Sequence, residues 1–184
     1  MNLSRYKARL KKKLSAERYS HSLRVAEWAK EIALLCGADP DNAYLAGLLH
    51  DCARENTPAK FLAKAKKNGI RLTAKYRRAP VLLHGELGAC AASQKFGVRQ
   101  PDILNAIKNH TLGRARMSCL EKIIFVADYT EPARKFPEAR KIRRRLLTDK
   151  DLARAVSSKV RYMLEYRQTL KKAENCSPAH KRKS

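Results

Sequence analysis

An all-α fold, a single helical bundle in one domain, is what this sequence predicts, and three observations carry that prediction. No run alternates apolar and polar residues for long enough to argue for a strand. Apolar residues recur instead at helical spacing, between regularly placed start and stop signals. A chain of 184 residues, 44% of them hydrophobic, also has enough apolar material for one packed core, which excludes wholesale disorder.

The elements follow in order. Residues 3–13 read as a short basic helix. A second helix is expected over 15–35, halted by Cys36-Gly37, because glycine adopts the left-handed turn that ends helices. Asp39-Pro40 joins a capping side chain to a proline at the first helical position, opening a helix to about residue 51. Thr57-Pro58 repeats the device, and Asn68-Gly69 stops that helix after Lys67. Pro80 opens a helix through Phe96, stopped by Gly97. Pro101 opens one reaching His110. Ser118 and Glu121 form the S-x-x-E capping box of a helix to about Tyr129. Pro132 and Pro137 are expected to break the chain, and a last long helix is expected over 149–173. The tail 175–184 is short, polar and basic, and is expected to fray.

Composition excludes several function classes. No stretch approaches the roughly 18 apolar residues of a membrane span. The basic N-terminus lacks the apolar segment of a signal peptide, so a cytoplasmic protein is expected, with no membrane partner. The five cysteines are scattered without a C-x-x-C pair, which fits reduced, mostly buried thiols. The net charge is +24 and is concentrated at the ends: +6 over residues 1–20 and +11 over 139–184, against +7 for the longer middle. Such a chain attracts polyanions, although solubility alone also explains a high net charge.

The informative pattern is polar. His21 shares a helical stripe with Val25, Trp28, Ile32 and Leu35. His50 and Asp51 stand beside the apolar side defined by Leu45, Leu48, Leu49 and Cys52. His84 aligns with Leu87, Gly88 and Ala91, His110 with Ile103, Ala106 and Ile107, and Asp128 with Leu120, Glu121 and Ile124. His180, in the basic tail, has no such stripe. A lone inward histidine is ordinarily a hydrogen-bonded core residue, but buried aspartate is rare unless paired. Six such groups on five helices are most economically explained by convergence on one site, where divalent cations offset the carboxylates. Imidazole and carboxylate suit iron, manganese, zinc or cobalt, and the absence of cysteine from the set argues against structural zinc. In His50-Asp51 one carboxylate can bridge two metals. Metals about 3.5–4 Å apart can hold a hydroxide and neutralise phosphate oxygens opposite it. Hydrolysis at phosphorus is the natural reaction class.

On these residues the sequence resembles the HD-domain metal-dependent phosphohydrolases, and more narrowly the YqeK family of bacterial symmetrical bis(5'-nucleosyl)-tetraphosphatases. The matching segments are HSLRVA from His21, AGLLHD from Ala46, LHGELGA from Leu83, AIKNHTLG from Ala106 and MSCLEKIIFVADYTEPAR from Met117, together covering about residues 18–138. The family's HTTG-like stretch reads His110-Thr111-Leu112-Gly113 here. The resemblance implies an HD fold over 18–173, flanked by a basic helix over 1–17 and a flexible basic tail over 174–184. It also implies a di-metal centre, most simply iron. His21, His50, Asp51 and Asp128 would hold one ion, and Asp51, His84 and His110 the other. The implied reaction cuts diadenosine tetraphosphate at its middle to two ADP, by attack of a bridging hydroxide that Asp51 orients. The oligomer implied is a monomer or a homodimer.

Cations are needed where the departing ADP gathers charge. Arg54, Arg134 and Arg24 are the candidates, with Arg54 placed as a catalytic as well as a substrate-binding group, and His84, His110 and Thr111 beside the substrate. Each arginine also reads as an ordinary surface charge. Glu86 and Glu131 are expected either to support ligand histidines or to be solvated. Gly85 and Gly88 are expected to permit close packing or substrate approach, and Trp28 to lie in the core. Two alternatives stand beside the main reading. One is an HD-type nucleotidase or phosphodiesterase acting on another nucleotide. The other is RNA binding by the basic ends, Lys11-Lys12-Lys13 and Lys141 to Arg145, which would be incidental because the sequence shows no aromatic-basic interleaving.

Overall fold

The computed structural model describes residues 2–54 and 57–176. Among these residues the chain forms ten α-helices and one 3-10 turn, with no strand. Helix α1 (Leu3–Lys13) is capped by Asn2, whose side chain accepts from the Arg5 N–H at 3.0 Å. Ser15 caps α2 (Ala16–Leu35) and Asp39 caps α3 (Pro40–Leu49), each side chain accepting the exposed first-turn N–H groups. Thr57 does the same for α4 (Pro58–Lys67). The later helices are α6 (His84–Phe96), α7 (Pro101–Asn109), α8 (Cys119–Thr130), α9 (Pro137–Asp149) and α10 (Leu152–Cys176), after the short α5 (Ala74–Arg78). Both arms of the Ser118–Glu121 capping box are made.

Three expectations are corrected. The helix expected to run from Pro80 begins as a 3-10 turn over Pro80–Leu83, and the α-helix starts at His84. Pro137 starts a helix instead of breaking one: it sits at the first helical position, where its missing N–H costs nothing. The long helix expected over 149–173 begins later, at Leu152, because Asp149 ends a helix that was not expected, α9, whose cap Lys150 takes a left-handed φ of 53°. Helix α10 then runs to Cys176, while 177–184, most of the expected frayed tail, lie outside the described residues, as does His180. Cys52 is buried, Cys119 is exposed, and Cys36 and Cys90 are partly so.

The core is built around α3. All seven residues from Ala43 to Leu49 are buried, so this helix has no polar face and must be central. Its largest contact is with α2, where Gly47 allows backbone approach: a Cβ there would lie 2.9 Å from the Ala26 Cα. Helices α7 and α8 complete the centre. Ile123, Ile124 and Phe125 of α8 are fully buried, each contributing about 1.5–3 kcal/mol of apolar transfer. Trp28 is core, and its indole N–H donates to Thr130 Oγ1 at 2.9 Å, tying α2 to α8. Helix α6 packs on α7, α9 and α10 pack on α8, and α1 is fastened by the Tyr6 hydroxyl donating to the Phe96 carbonyl at 2.6 Å. Among the described residues no helix is long and apolar enough to cross a membrane.

Candidate metal centre

The central helix delivers His50 and Asp51 from its C-terminal end into the middle of the bundle. His110 directly follows the last residue of α7, His84 is the first residue of α6, His21 comes from α2 and Asp128 from α8. These six residues converge. His21 Nε2 lies 3.0 Å from Asp128 Oδ1, and His50 Nε2 lies 3.7 Å from that same oxygen. Asp51 Oδ1 is 3.5 Å from His84 Nε2 and 3.9 Å from His110 Nε2. His21, His50 and Asp51 present ligand atoms within 4.8 Å of one another, as do Asp51, His84 and His110. Asp51 belongs to both groups.

Second partners fix the histidine tautomers. His50 Nδ1 donates to the Gly47 carbonyl and His110 Nδ1 to the Ile107 carbonyl, both at 2.7 Å. His84 Nδ1 donates to the Val81 carbonyl. Each Nε2 is therefore left as an acceptor beside the Asp51 and Asp128 carboxylates, the arrangement in which imidazole binds metal. The Nε2 atoms of His84 and His110 stand 3.0 Å apart with both Nδ1 protons already placed, so two lone pairs confront each other. His50 Nε2 and Asp51 Oδ1 are buried without a hydrogen-bond partner among the described residues. Unpartnered buried acceptors on nitrogen and oxygen donors fit divalent cations in both groups. Two helix C-termini, those of α3 and α7, add partial negative charge at the same place.

Electrostatics divide the histidines. Burial, then the neighbouring His50 and His84, push His110 down to about 3, so it is neutral. Burial likewise lowers His84, with Asp51 only partly opposing. Burial also works to lower His21, but Asp128 outweighs it and the net shift is upward. Both carboxylates stay ionised despite burial: His50, His110 and His84 hold Asp51 below its usual range, and the His21 hydrogen bond with the fields of His50 and Lys159 holds Asp128 well below.

A cavity of about 590 Å³ opens over the centre. Arg54 and Arg134 line it, as does Thr111, whose hydroxyl lies 2.9 Å from His84 Nε2. Arg54 reaches His84 Nε2 at 3.1 Å and Asp51 at 3.7 Å, and Arg134 reaches Asp128 at 3.6 Å. Arg24 is placed otherwise than expected for a substrate contact: its Nε donates to Glu131 Oε2 at 2.9 Å, and it does not line the cavity. Glu131 is 2% exposed and lies 3.3 Å from His21 Nδ1, so it holds the ring of a candidate ligand histidine. Glu86 does not; it accepts from the Tyr76 hydroxyl and pairs with Lys108. Gly85 serves packing, since a Cβ there would collide with the Lys108 carbonyl oxygen of α7.

Sequence reasoning missed Arg18, whose Nη1 lies 3.3 Å from Asp51 Oδ2 and which lines the cavity with Ser15 and Glu17. The signal was present: Arg18 precedes His21 by three residues and so shares its helix face. It also missed the support behind α7, where the buried Glu121 takes Arg114 at 2.7 and 2.8 Å and Asn109 at 2.7 Å.

Comparison with known proteins gives a consistent set. The HD domain model matches residues 18–133. A symmetrical bis(5'-nucleosyl)-tetraphosphatase of Halalkalibacterium halodurans is 38% identical over 151 residues, 81% of this chain and 79% of that protein. The protein of the same name from Bacillus subtilis is 35% identical over 164 residues, 88% of this chain and 85% of its own length. A crystal structure from Clostridium acetobutylicum, described as a predicted HD superfamily hydrolase involved in NAD metabolism, superposes with a TM-score of 0.81 at 34% identity, covering 95% of this chain and 88% of that one.

Proposed function

The chain belongs to the HD-domain family, beside the symmetrical bis(5'-nucleosyl)-tetraphosphatases, and from that premise we propose that it hydrolyses diadenosine tetraphosphate at its centre to give two ADP. The observation that carries the reading is the shared Asp51: one ionised carboxylate common to two ligand groups, beneath a cavity rimmed by three guanidinium groups.

His21, His50, Asp51 and Asp128 would hold one divalent cation, and Asp51, His84 and His110 the other. Iron is the expected metal, with manganese, cobalt and zinc suited to the same donors. When bound, the cations supply an acidified water and offset phosphate charge. The remaining work belongs to the chain. Asp51, with an oxygen toward each group, orients the attacking water. Arg18, Arg54 and Arg134 present paired guanidinium donors to the tetraphosphate. The water oxygen adds to one of the two central phosphorus atoms. The bond from that phosphorus to the central bridging oxygen breaks, and its electron pair leaves with the departing ADP. Arg54 and Arg134 lie where that charge gathers, and the Thr111 hydroxyl can donate to a phosphate oxygen.

The test is product analysis. Protein purified without oxygen is supplied with ferrous iron or manganese, incubated with diadenosine tetraphosphate, and its nucleotides are resolved by chromatography beside Asp51→Ala. ADP as the sole product, absent from the variant, is expected. ATP with AMP would overturn the symmetric cut, and no product with any metal would overturn the substrate.

A further inference from the structure

The second concentration of charge lies away from the residues that form the metal centre. On α9, Lys141, Arg144 and Arg145 are exposed, and on α10 so are Arg161 and Arg167. Among the described residues none of these five has a carboxylate within ion-pair distance. Their neighbours differ: Arg143 donates to the Thr130 and Glu131 carbonyls, and Arg154 pairs with Asp149. A groove of about 150 Å³ between the two helices is lined by Lys141, Arg145, Arg161 and Tyr162, with Glu138 and Glu165 among its walls.

Aromatic rings stand beside this charge. Phe136, Tyr162 and Tyr166 form a ladder of near-parallel planes: Phe136 and Tyr162 have centroids 6.5 Å apart at 18°, and Tyr162 and Tyr166 are 6.4 Å apart at 16°. The spacing of Tyr162 and Tyr166 follows from one helical turn, i to i+4. Phe136 is 26 residues upstream of Tyr162, so the three-ring ladder forms only on folding, although Arg161-Tyr162 and Tyr166-Arg167 already set ring beside cation in the sequence. Tyr166 is 55% exposed, although it continues the stripe that buries Ala155 and Lys159, because the α10 residues from Leu164 to Thr169 are all exposed.

We propose that this face of α9 and α10 binds single-stranded RNA. The unpaired cations match a phosphate backbone, and Tyr166, the exposed end of a ladder backed by Tyr162 and Phe136, offers a π-face to an unpaired base, which is how single strands are held without sequence preference. A second copy of the chain is a poor occupant, because it carries the same +24 charge to the same place.

The test uses fluorescence anisotropy with a labelled 12-nucleotide RNA of mixed sequence over a salt series. The wild type is compared with Lys141→Glu/Arg145→Glu/Arg161→Glu and with Tyr166→Leu, all at positions outside the hydrolytic cavity. Thermal unfolding confirms that the variants fold. The charge variant is expected to bind at least about tenfold more weakly and to flatten the slope of log affinity against log salt by about 2, at roughly 0.7 for each phosphate no longer neutralised. Tyr166→Leu is expected to lose about fivefold or more with the slope unchanged. Absence of measurable binding by the wild type overturns the proposal, as does equal binding by both variants or equal affinity for a 12-base-pair duplex. Capture by phosphatidylglycerol vesicles in place of RNA would show that the face serves a membrane, and also overturns it.

Discussion

The two halves of the candidate metal centre share Asp51, each contain two imidazoles, and differ in the groups around them. His50 of the first half is buried and tied to a carbonyl, like the histidines of the second. The half at His21 is rich in carboxylate: His21 lies between Asp128 and Glu131, is 12% exposed, and Asp128 is 23% exposed. The half at His84 and His110 is rich in imidazole, almost fully buried, and pinned by backbone carbonyls. The first half brings negative charge that raises the proton affinity of His21 against its burial. The second brings lone pairs that burial keeps unprotonated. A cation therefore competes with a proton in one half and fills a gap in the other.

Removing the shared residue should erase the distinction. Asp51→Ala is expected to lower hydrolysis by at least about 10³-fold, since groups that act as a unit fail together. Metal content measured by plasma mass spectrometry should fall from two ions towards none. Retention of one tightly held ion would show that the halves are independent.

Glu131→Gln should sharpen the comparison. It removes the charge that orients His21 while leaving the imidazole half intact, so affinity for one ion should drop about 10–100-fold. Metal titration should then resolve two classes of site, where a uniform loss would break the assignment. Arg24, bound to Glu131, should act on the same class, raising the metal requirement more than the KM for substrate.

Gly85→Ala attacks the opposite half through packing. The added methyl meets the α7 backbone, which cannot rotate away, so α6 must shift at a cost of about 1–3 kcal/mol in denaturant unfolding. The ion held by His84 and His110 should weaken first.

The smallest effect is a slope of at most about 1.4 kcal/mol per pH unit for each group. In metal-free protein, His110 has a folded value near 3 against an ordinary 6.5. The unfolded chain binds the extra proton, so stability falls as pH drops from about 6.5 towards 3. His21 is raised, so its contribution is fully present below about 6.5 and is lost as pH rises through the folded value. Replacing each by Asn should flatten its own limb of the stability curve, and the same limb flattened by both would collapse the contrast.

Much of this was legible in the sequence because the punctuation is strong. Pro40, Pro58 and Pro101 open helices and Gly37, Gly69 and Gly97 close them, the three glycines each with positive φ. The six candidate ligands stood out because packing alone rarely puts a carboxylate or imidazole on an apolar stripe. What was missed lacked local marks. Helix α5 is five residues long, too short for a period to show. The division at Lys150 depends on a left-handed lysine, a conformation that sequence ordinarily signals with glycine. The direction of Arg24 was set by Glu131, 107 residues away in sequence and invisible to spacing.

The carbonyl tethers on His50, His84 and His110 bear on how the ions arrive. Each ring is held by a backbone carbonyl three residues earlier in its own segment, a tether that needs no cation to form. Loading should resemble a key entering a cut lock, with little ordering of the chain and the rate set by how fast each ion sheds its water. Stripping the ions should leave the helical signal in circular dichroism nearly unchanged, and the same protein should accept a second kind of metal without being refolded.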